Sequence, residues 1–391
     1  MRAAVVGGSL GGLHTALLLQ DIGVEVDVYE RSPAELAERG AGIGFLPESA
    51  RYLVERAGVP LDRISVATSR IRYLDRRGER IYDGAHVYRF SSWNTVYRAL
   101  KARLEPVRYH LGHEMTGWAG TDDAVEVHLA SRSARRVDLL VCADGVGSIA
   151  RARLLPAVRP VYAGYVAWRG MVPEASLDAA TRAALADAIT YHVYPNSHIL
   201  AYPIPGPDGS VARGERLMNF VWYRNYLEGG DLDGVLTDDA GQRRELSVPP
   251  GAVAARHVAE MRGVARARLP APIARVVESV ERPFLQVIYD IEVPRMAFGR
   301  VCLLGDAAFV VRPHAAAGTA KAAADAWALA EALSRAGGEV PVALRRWDAE
   351  QVALGSALVR RTREIGDSSQ FTGGFTPGDL KLIFGLHEPG R

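Results

Sequence analysis

The stretch Ala3-Ala4-Val5-Val6-Gly7-Gly8-Ser9-Leu10-Gly11-Gly12 decides the fold. Ala3–Val6 reads as a short apolar strand, Gly7–Gly12 as a glycine-rich turn, and Leu13–Gln20 as an apolar helix. Val24–Tyr29 adds a second strand ending in Glu30. Strand, turn, helix and strand form the context that a dinucleotide fingerprint requires. The usual spacing is G-x-G-x-x-G, and its three positions here are Gly7, Ser9 and Gly12. Gly7 permits the tight turn, and Gly12 lets the helix pack closely on the strand. Between them Ser9, Leu10 and Gly11 open the helix, whose N–H groups would face a pyrophosphate. Ser9 narrows the approach but adds a hydroxyl. Glu30, followed by Arg31, stands where a carboxylate accepts hydrogen bonds from an adenosine ribose. A 2′-phosphate would be repelled there, so the resident ligand is not NADP.

Two further glycine-centred segments follow. Leu139-Leu140-Val141-Cys142-Ala143-Asp144-Gly145 is an apolar strand ending in Asp-Gly, with Ser148 placed to cap a helix. Val301-Cys302-Leu303-Leu304-Gly305-Asp306 is a buried strand ending in Gly-Asp, which sets a carboxylate at the strand's carboxyl edge. Arg312-Pro313-His314-Ala315-Ala316-Ala317-Gly318 then leads into a long alanine-rich helix, through about Ser334, whose N-terminus favours negative charge. Each segment taken alone is also an ordinary strand end and helix cap.

Composition narrows the classes. The 391 residues are 48% hydrophobic and 24% charged, which excludes a largely disordered, collagenous or disulfide-scaffold chain. With 47 basic against 45 acidic residues, the net charge of +2 gives no broad footprint for nucleic acid or an anionic membrane. The two cysteines, Cys142 and Cys302, lie in apolar runs, so neither a disulfide framework nor a metal site is expected. No eighteen-residue apolar stretch and no charged-then-apolar leader occur, so a cytoplasmic protein is expected.

The middle of the chain changes character. From about Val161 to Val293, strand-like segments such as Tyr191–Tyr194, Ile199–Tyr202 and Arg216–Tyr223 outnumber helical ones, with Pro203–Gly209 as a hairpin loop. The expected fold is α/β, a Rossmann-type domain with an inserted, mostly antiparallel β-sheet domain. Its expected parts are 1–157 and 295–340 for the Rossmann domain, 158–294 for the β domain, and 341–391 for a C-terminal helical segment and tail.

The three motifs, in this order and at these separations, resemble the single-component FAD-dependent aromatic hydroxylases of the p-hydroxybenzoate hydroxylase type. The likeness covers nearly the whole chain. Tyr162–Gly170, Arg312–Gly318 and the tail Phe375–Leu386 most resemble the dihydroxypyridine hydroxylases. That resemblance implies a tightly bound FAD, NADH or NADPH as transient co-substrate, O2, and hydroxylation of an electron-rich aromatic or N-heteroaromatic molecule through a flavin C4a-hydroperoxide. It implies that Gly7, Ser9, Leu10, Gly11, Gly12, Glu30 and Arg31 hold the ADP half of FAD. Asp144 and Gly145 would approach the pyrophosphate, Gly305 and Asp306 the ribityl chain, and Gly318, Thr319 and Ala320 the flavin pyrimidine edge. A homodimer stays open; nucleic acid and membrane are not expected partners, and no metal is expected.

The sequence departs from the family at several places. Trp93 stands where an arginine is often found, Ala316-Ala317-Gly318 replaces Gly-Gln-Gly, Ala320 replaces an asparagine, and Phe309 replaces a histidine. The loop Arg312–Gly318 is therefore where substrate-specific chemistry is expected. His314 is the candidate catalytic base, since a histidine near neutral pKa suits deprotonation of a substrate hydroxyl. Arg312 and Pro313, with His198, Tyr202, Asn219 and Tyr223 on the inserted sheet, are the candidate substrate contacts. Alternation sets Asn219, Val221 and Tyr223 against Met218, Phe220 and Trp222, and leaves open which face looks inward. Other oxygenations on the same scaffold, such as epoxidation of a natural-product intermediate, share these motifs. So does an FAD-binding redox protein without turnover; a Trp-x-Trp-x-x-Pro halogenase segment is absent.

Overall fold

The structure, a computed structural model, describes residues 1–36, 40–130 and 132–391. Arg2–Val6 is the centre of a six-stranded sheet. Its neighbours are Leu139–Cys142 on one side and Glu25–Glu30 on the other, both parallel to it. Val301–Leu303 adds a parallel strand beyond Leu139–Cys142, and Tyr109–Leu111 adds one beyond Glu25–Glu30. Ala297–Phe298 closes the far edge antiparallel. The inner strands are apolar on both faces because helices cover both, as parallel sheets require. Cys142 and Cys302 are free and buried among them.

Small side chains let the covering helices close on each other. Gly11 in helix Leu10–Asp21 leaves just enough room for Ala322 of helix Gly318–Arg335, whose Cβ would lie 3.3 Å from a Cβ placed on Gly11. The alanines of this alanine-rich helix are thus a packing face: Ala320, Ala323 and Ala326 are all buried.

A nine-stranded sheet forms the second layer. Its order is Ser247–Val248, Phe284–Asp290, Val161–Pro173, Leu217–Asn225, Ser197–Ile204, Ala188–Tyr194, Val66–Leu74, Arg80–Ser92 and Gly42–Gly44. All pairs are antiparallel except Val66–Leu74 with Ala188–Tyr194. The expected β layer is therefore wider than residues 158–294, because three of its strands come from before residue 157. The periodicity of 66–92 marks strands but carries no sign of which sheet they join. A small antiparallel sheet, Met115–Gly120 with Val125–Leu129 and Arg132–Val137, stands apart.

The structure settles the face question. Met218, Phe220 and Trp222 pack with helices Ala255–Arg268 and Ala271–Ser279. Val221 and Tyr223 pack instead with Ala315, Ala317, Ala320 and the tail residues Phe375 and Phe384. The tail reaches that face after helix Val340–Asp367 and the turn Ser368–Thr372.

Candidate active site

The three glycine-centred motifs follow three adjacent parallel strands, at their carboxyl ends, where ligands of open α/β sheets bind. Gly7 has φ +104°, and a Cβ there would fall 2.2 Å from the Ala143 carbonyl oxygen. A Cβ on Gly12 would fall 1.9 Å from the Gly7 carbonyl oxygen. Both positions admit only glycine with this backbone. The Gly8 N–H donates to Glu30 Oε2 at 2.9 Å and the Ser32 N–H to Oε1 at 2.8 Å, which fixes the carboxylate beside the turn. Two oxygens offer about four acceptor sites, so Glu30 can still receive a ligand hydroxyl. The Ser9 hydroxyl caps no helix N–H, and the first turn of helix Leu10–Asp21 carries no acid. Such an end suits a pyrophosphate. Arg31 is exposed just beyond.

The second motif serves the first structurally. Asp144 accepts from the Ser148 hydroxyl at 2.6 Å and the Ile149 N–H at 3.0 Å, so its carboxylate caps helix Ile149–Leu154. Burial holds its carboxyl above the usual range. Gly145, at φ +75°, has open space beside it. Buried Arg151 donates to the Ala307 carbonyl at 3.0 Å and to that of Val146, tying the second motif to the third.

Asp306 has a different environment. It bonds no described residue and its side chain opens to solvent along the crevice. The protein packed beneath it and the Asp325 carboxylate behind it push its carboxyl up to about 6 against the pull of Arg151 and Lys321. An unpartnered carboxylate at this edge fits a polyol hydroxyl. Behind it lies a support that sequence reading missed: buried Lys321 pairs with buried Asp325, whose other oxygen accepts the Gly305 N–H at 3.1 Å. The i,i+4 spacing signals the pair, but not its burial. Gly318–Ala320 opens the long helix with no acid in its first turn, and Thr319 Oγ1 meets Ser49 Oγ at 3.0 Å. The free N–H groups of this helix, the Gly7–Gly12 turn, Glu30 and Asp306 together fit FAD.

Beside the helix start, Pro313, His314, His198, Tyr223, Tyr191 and Phe375 are among the side chains lining a narrow cavity of about 20 Å3. That is room for a water molecule, so an aromatic ring requires one wall to move. The tail is the wall flanked by glycines, Gly373 at φ +69° and Gly378 at φ +82°. A larger open groove, about 660 Å3, mixes Arg63 and Arg98 with Asp208 and Glu215, away from the three motifs.

His314 is buried, with Nε2 at 2.7 Å from the Tyr165 hydroxyl and Nδ1 without a described partner. Burial, His198 and Arg312 hold its pKa well below the ordinary value. His198 lies 5.3 Å away between ring centroids and stacks on Phe375 at 4.9 Å. Its pKa is driven down to about 3 by burial. Its Nδ1 meets Gln370 Nε2 at 3.1 Å and the Ser369 hydroxyl. Tyr165, Ser369 and Gln370 were missed by sequence reading. Alternation along Val161–Pro173 would have put Tyr165 on the inner face with Ala167; no pattern marks the turn after the last helix.

Three expected substrate contacts do other work. Arg312 donates to Asp290 at 2.8 Å and to Asp367 at 2.7 Å, and Asp290 also accepts from Arg363. A guanidinium held by two carboxylates does not also pair with an anionic ring. The Tyr202 hydroxyl donates to the Gly42 carbonyl at 3.0 Å, and Asn219 Oδ1 accepts the Gly42 N–H at 3.0 Å. With Arg169 on the same carbonyl, they clamp strand Gly42–Gly44 and do not line the cavity.

Gly366 marks how tightly the imidazole is seated. A Cβ there would lie 2.5 Å from the Tyr165 hydroxyl, 2.9 Å from Arg312 Nη1 and 3.0 Å from His314 Nε2. Gly366→Ala should therefore break the Tyr165–His314 bond. The expected loss is about fivefold to tenfold in turnover, the worth of one ordinary hydrogen bond, with FAD content unchanged. Turnover within about twofold of the parent would show that the pair does not matter.

Residues 162–290 match a family described as FAD binding domain-like, and residues 288–362 match one described as FAD binding domain. The chain is 38% identical over 386 residues to 2,6-dihydroxypyridine 3-monooxygenase of Paenarthrobacter nicotinovorans, covering 98% of this chain and 96% of that one. It is 29% identical to a salicylate hydroxylase of Pseudomonas putida, over 85% of this chain and 77% of that one. Among solved structures, 2,6-dihydroxypyridine-3-hydroxylase from Arthrobacter nicotinovorans superposes with a TM-score of 0.93 at 37% identity, covering 100% and 98% of the two chains. Klebsiella pneumoniae HpxO, solved with FAD and uric acid, shares the fold at a TM-score of 0.76 and 22% identity, over 98% and 90%.

Proposed function

The chain belongs to the FAD-dependent aromatic hydroxylases, an FAD monooxygenase acting on aromatic or N-heteroaromatic rings, and from that premise we propose that its substrate is a hydroxylated pyridine or a close N-heteroaromatic. The observation that carries this is the neutrality of the cavity: aromatic rings, aliphatic side chains and two imidazoles line it, without a cation among the described residues. Burial keeps both imidazoles uncharged. A benzoate brought here would leave a carboxylate buried without a counter-ion, a penalty of several kcal/mol. A hydroxypyridine enters uncharged and develops negative charge on its oxygen only as the ring reacts. The relative with 38% identity is named for a dihydroxypyridine, which supports the same choice.

The Gly7–Gly12 turn would hold the FAD pyrophosphate, Glu30 the adenosine ribose, Asp306 the ribityl hydroxyls, and Gly318–Ala320 the pyrimidine edge. When bound, FAD accepts reducing equivalents from NAD(P)H and activates O2. The chain's own share is to seat the ring, exclude water and govern the proton on its oxygen. Pro313, Tyr223 and the tail aromatics confine the ring. His314 meets its oxygen at Nδ1.

The test is a panel of dihydroxypyridines and hydroxybenzoates, scored for stimulated NAD(P)H oxidation and for product mass sixteen units heavier, one oxygen atom. Dihydroxypyridines should stimulate coupled turnover and salicylate should not. Coupled hydroxylation of a benzoate but of no pyridine would reject the reading.

A further inference from the structure

We propose that both cavity imidazoles are fixed as hydrogen-bond donors toward the substrate's oxygens, His314 through Nδ1–H and His198 through Nε2–H. This deepens the reading of the cavity as the substrate site and rests on it. It also changes the role expected of His314, from a base that removes the substrate's proton to a donor that favours the ionised oxygen.

The argument starts at Tyr165. Its hydroxyl lies 2.7 Å from His314 Nε2, the one acceptor described within hydrogen-bond distance of it. The neighbouring Arg312 guanidinium, 5.7 Å from the Tyr165 ring centroid, has N–H groups only and cannot accept. Burial raises the Tyr165 pKa, so the phenol keeps its proton. That proton points to Nε2. The ring's own proton then sits on Nδ1, which bonds no described residue.

His198 is locked from the opposite direction. The Gln370 side-chain amide nitrogen lies 3.1 Å from Nδ1 and 3.0 Å from the Ser369 hydroxyl oxygen. With that nitrogen facing them, Nδ1 and the serine oxygen both accept from the amide, whose own Oε1 is buried without a described partner. The imidazole proton is left on Nε2, away from these partners. Asn225 donates to the Gln370 backbone carbonyl at 2.9 Å, which fixes the turn in place.

Neither ring is suited to take up a second proton. His314 would become an imidazolium in a buried site already facing Arg312 and His198, and each of those opposes it. Two neutral N–H groups aimed at ring oxygens instead stabilise negative charge there, which activates the adjacent carbon toward an electrophilic oxygen.

Histidine-selective 15N NMR of the FAD-loaded protein reads the tautomers directly, with His314→Asn and His198→Asn to assign the signals. His314 should show a protonated Nδ1 and a bare Nε2, and His198 the reverse. In Tyr165→Phe, His314 should lose its single tautomer. Parent signals with the proton on His314 Nε2, or an imidazolium at neutral pH, would overturn the proposal. Turnover supplies the second arm, because an asparagine amide N–H occupies nearly the place of Nδ1–H but cannot act as a base. His314→Asn should recover at least about tenfold of the activity that His314→Ala loses. Asparagine and alanine variants equally impaired, with FAD retained, would overturn the donor role. Tautomers as stated alongside an His314→Ala enzyme of parental rate would overturn the cavity as substrate site instead.

Discussion

His314→Ala should lower product formation about 100- to 1,000-fold, the range for losing one preorganised donor at a charged transition state. FAD content should not change, because none of the crevice residues touches the imidazole. The donor is placed to act on the ring oxygen during oxygen transfer, so co-substrate oxidation should continue. Oxygen then leaves as hydrogen peroxide in place of product. The measurement is product formed per NAD(P)H consumed, in parent and variant. Preserved coupling with rates within about threefold would remove His314 from the chemistry.

Asp306→Ala should weaken FAD binding about tenfold to a hundredfold, as a charge-assisted hydrogen bond contributes roughly 1.5–3 kcal/mol. A folded variant with parental FAD affinity would reject the ribityl assignment. The same carboxyl makes a second, opposite prediction. Its folded pKa, about 6, lies above the unfolded value for aspartate, about 3.9. Its contribution to stability is therefore present at low pH and lost as pH rises through about 6. In FAD-free protein, Asp306→Asn should remove that loss and flatten the Tm profile between about pH 4 and pH 7. Identical profiles for parent and variant would show that Asp306 is not under this strain. Weaker cofactor binding together with a steadier apoprotein is the pattern of a residue kept for function at a cost in stability.

What could be read in advance follows from how local each signal is. Gly7, Gly12, Glu30 and Asp306 sit at strand ends, where a few neighbouring residues dictate the backbone and the backbone dictates the site. The neutral cavity was less legible. His314 and its neighbours Pro313 and Tyr223 were marked, but Arg312, Tyr202 and Asn219 carry the same hydrogen-bonding groups and turn elsewhere. Arg312 is claimed by Asp290 and Asp367, more than twenty residues away on either side. Asn219 and Tyr202 are claimed by Gly42, far toward the N-terminus. Such pairings depend on which segments the fold brings together, and alternation along a strand says only which face a side chain takes. The same limit hid Tyr165, whose importance comes from a histidine 149 positions later.

The parallel pairing of Val66–Leu74 with Ala188–Tyr194 also decides whether the protein comes apart into pieces. A gene fragment encoding only residues 158–294 would release Ala188–Tyr194 as a bare edge, with its backbone donors and acceptors unmet and Ile189 and Tyr191 uncovered. Exposed edges of that kind recruit other chains, so the fragment should aggregate rather than fold. The N-terminal fragment would fare no better, since Val66–Leu74 and Arg80–Ser92 would form a hairpin with no sheet to join. The two layers are therefore inseparable as units of inheritance. New specificities on this scaffold must come by substitution within the walls of the cavity, because the β layer cannot be exchanged whole without taking residues 42–92 along with it.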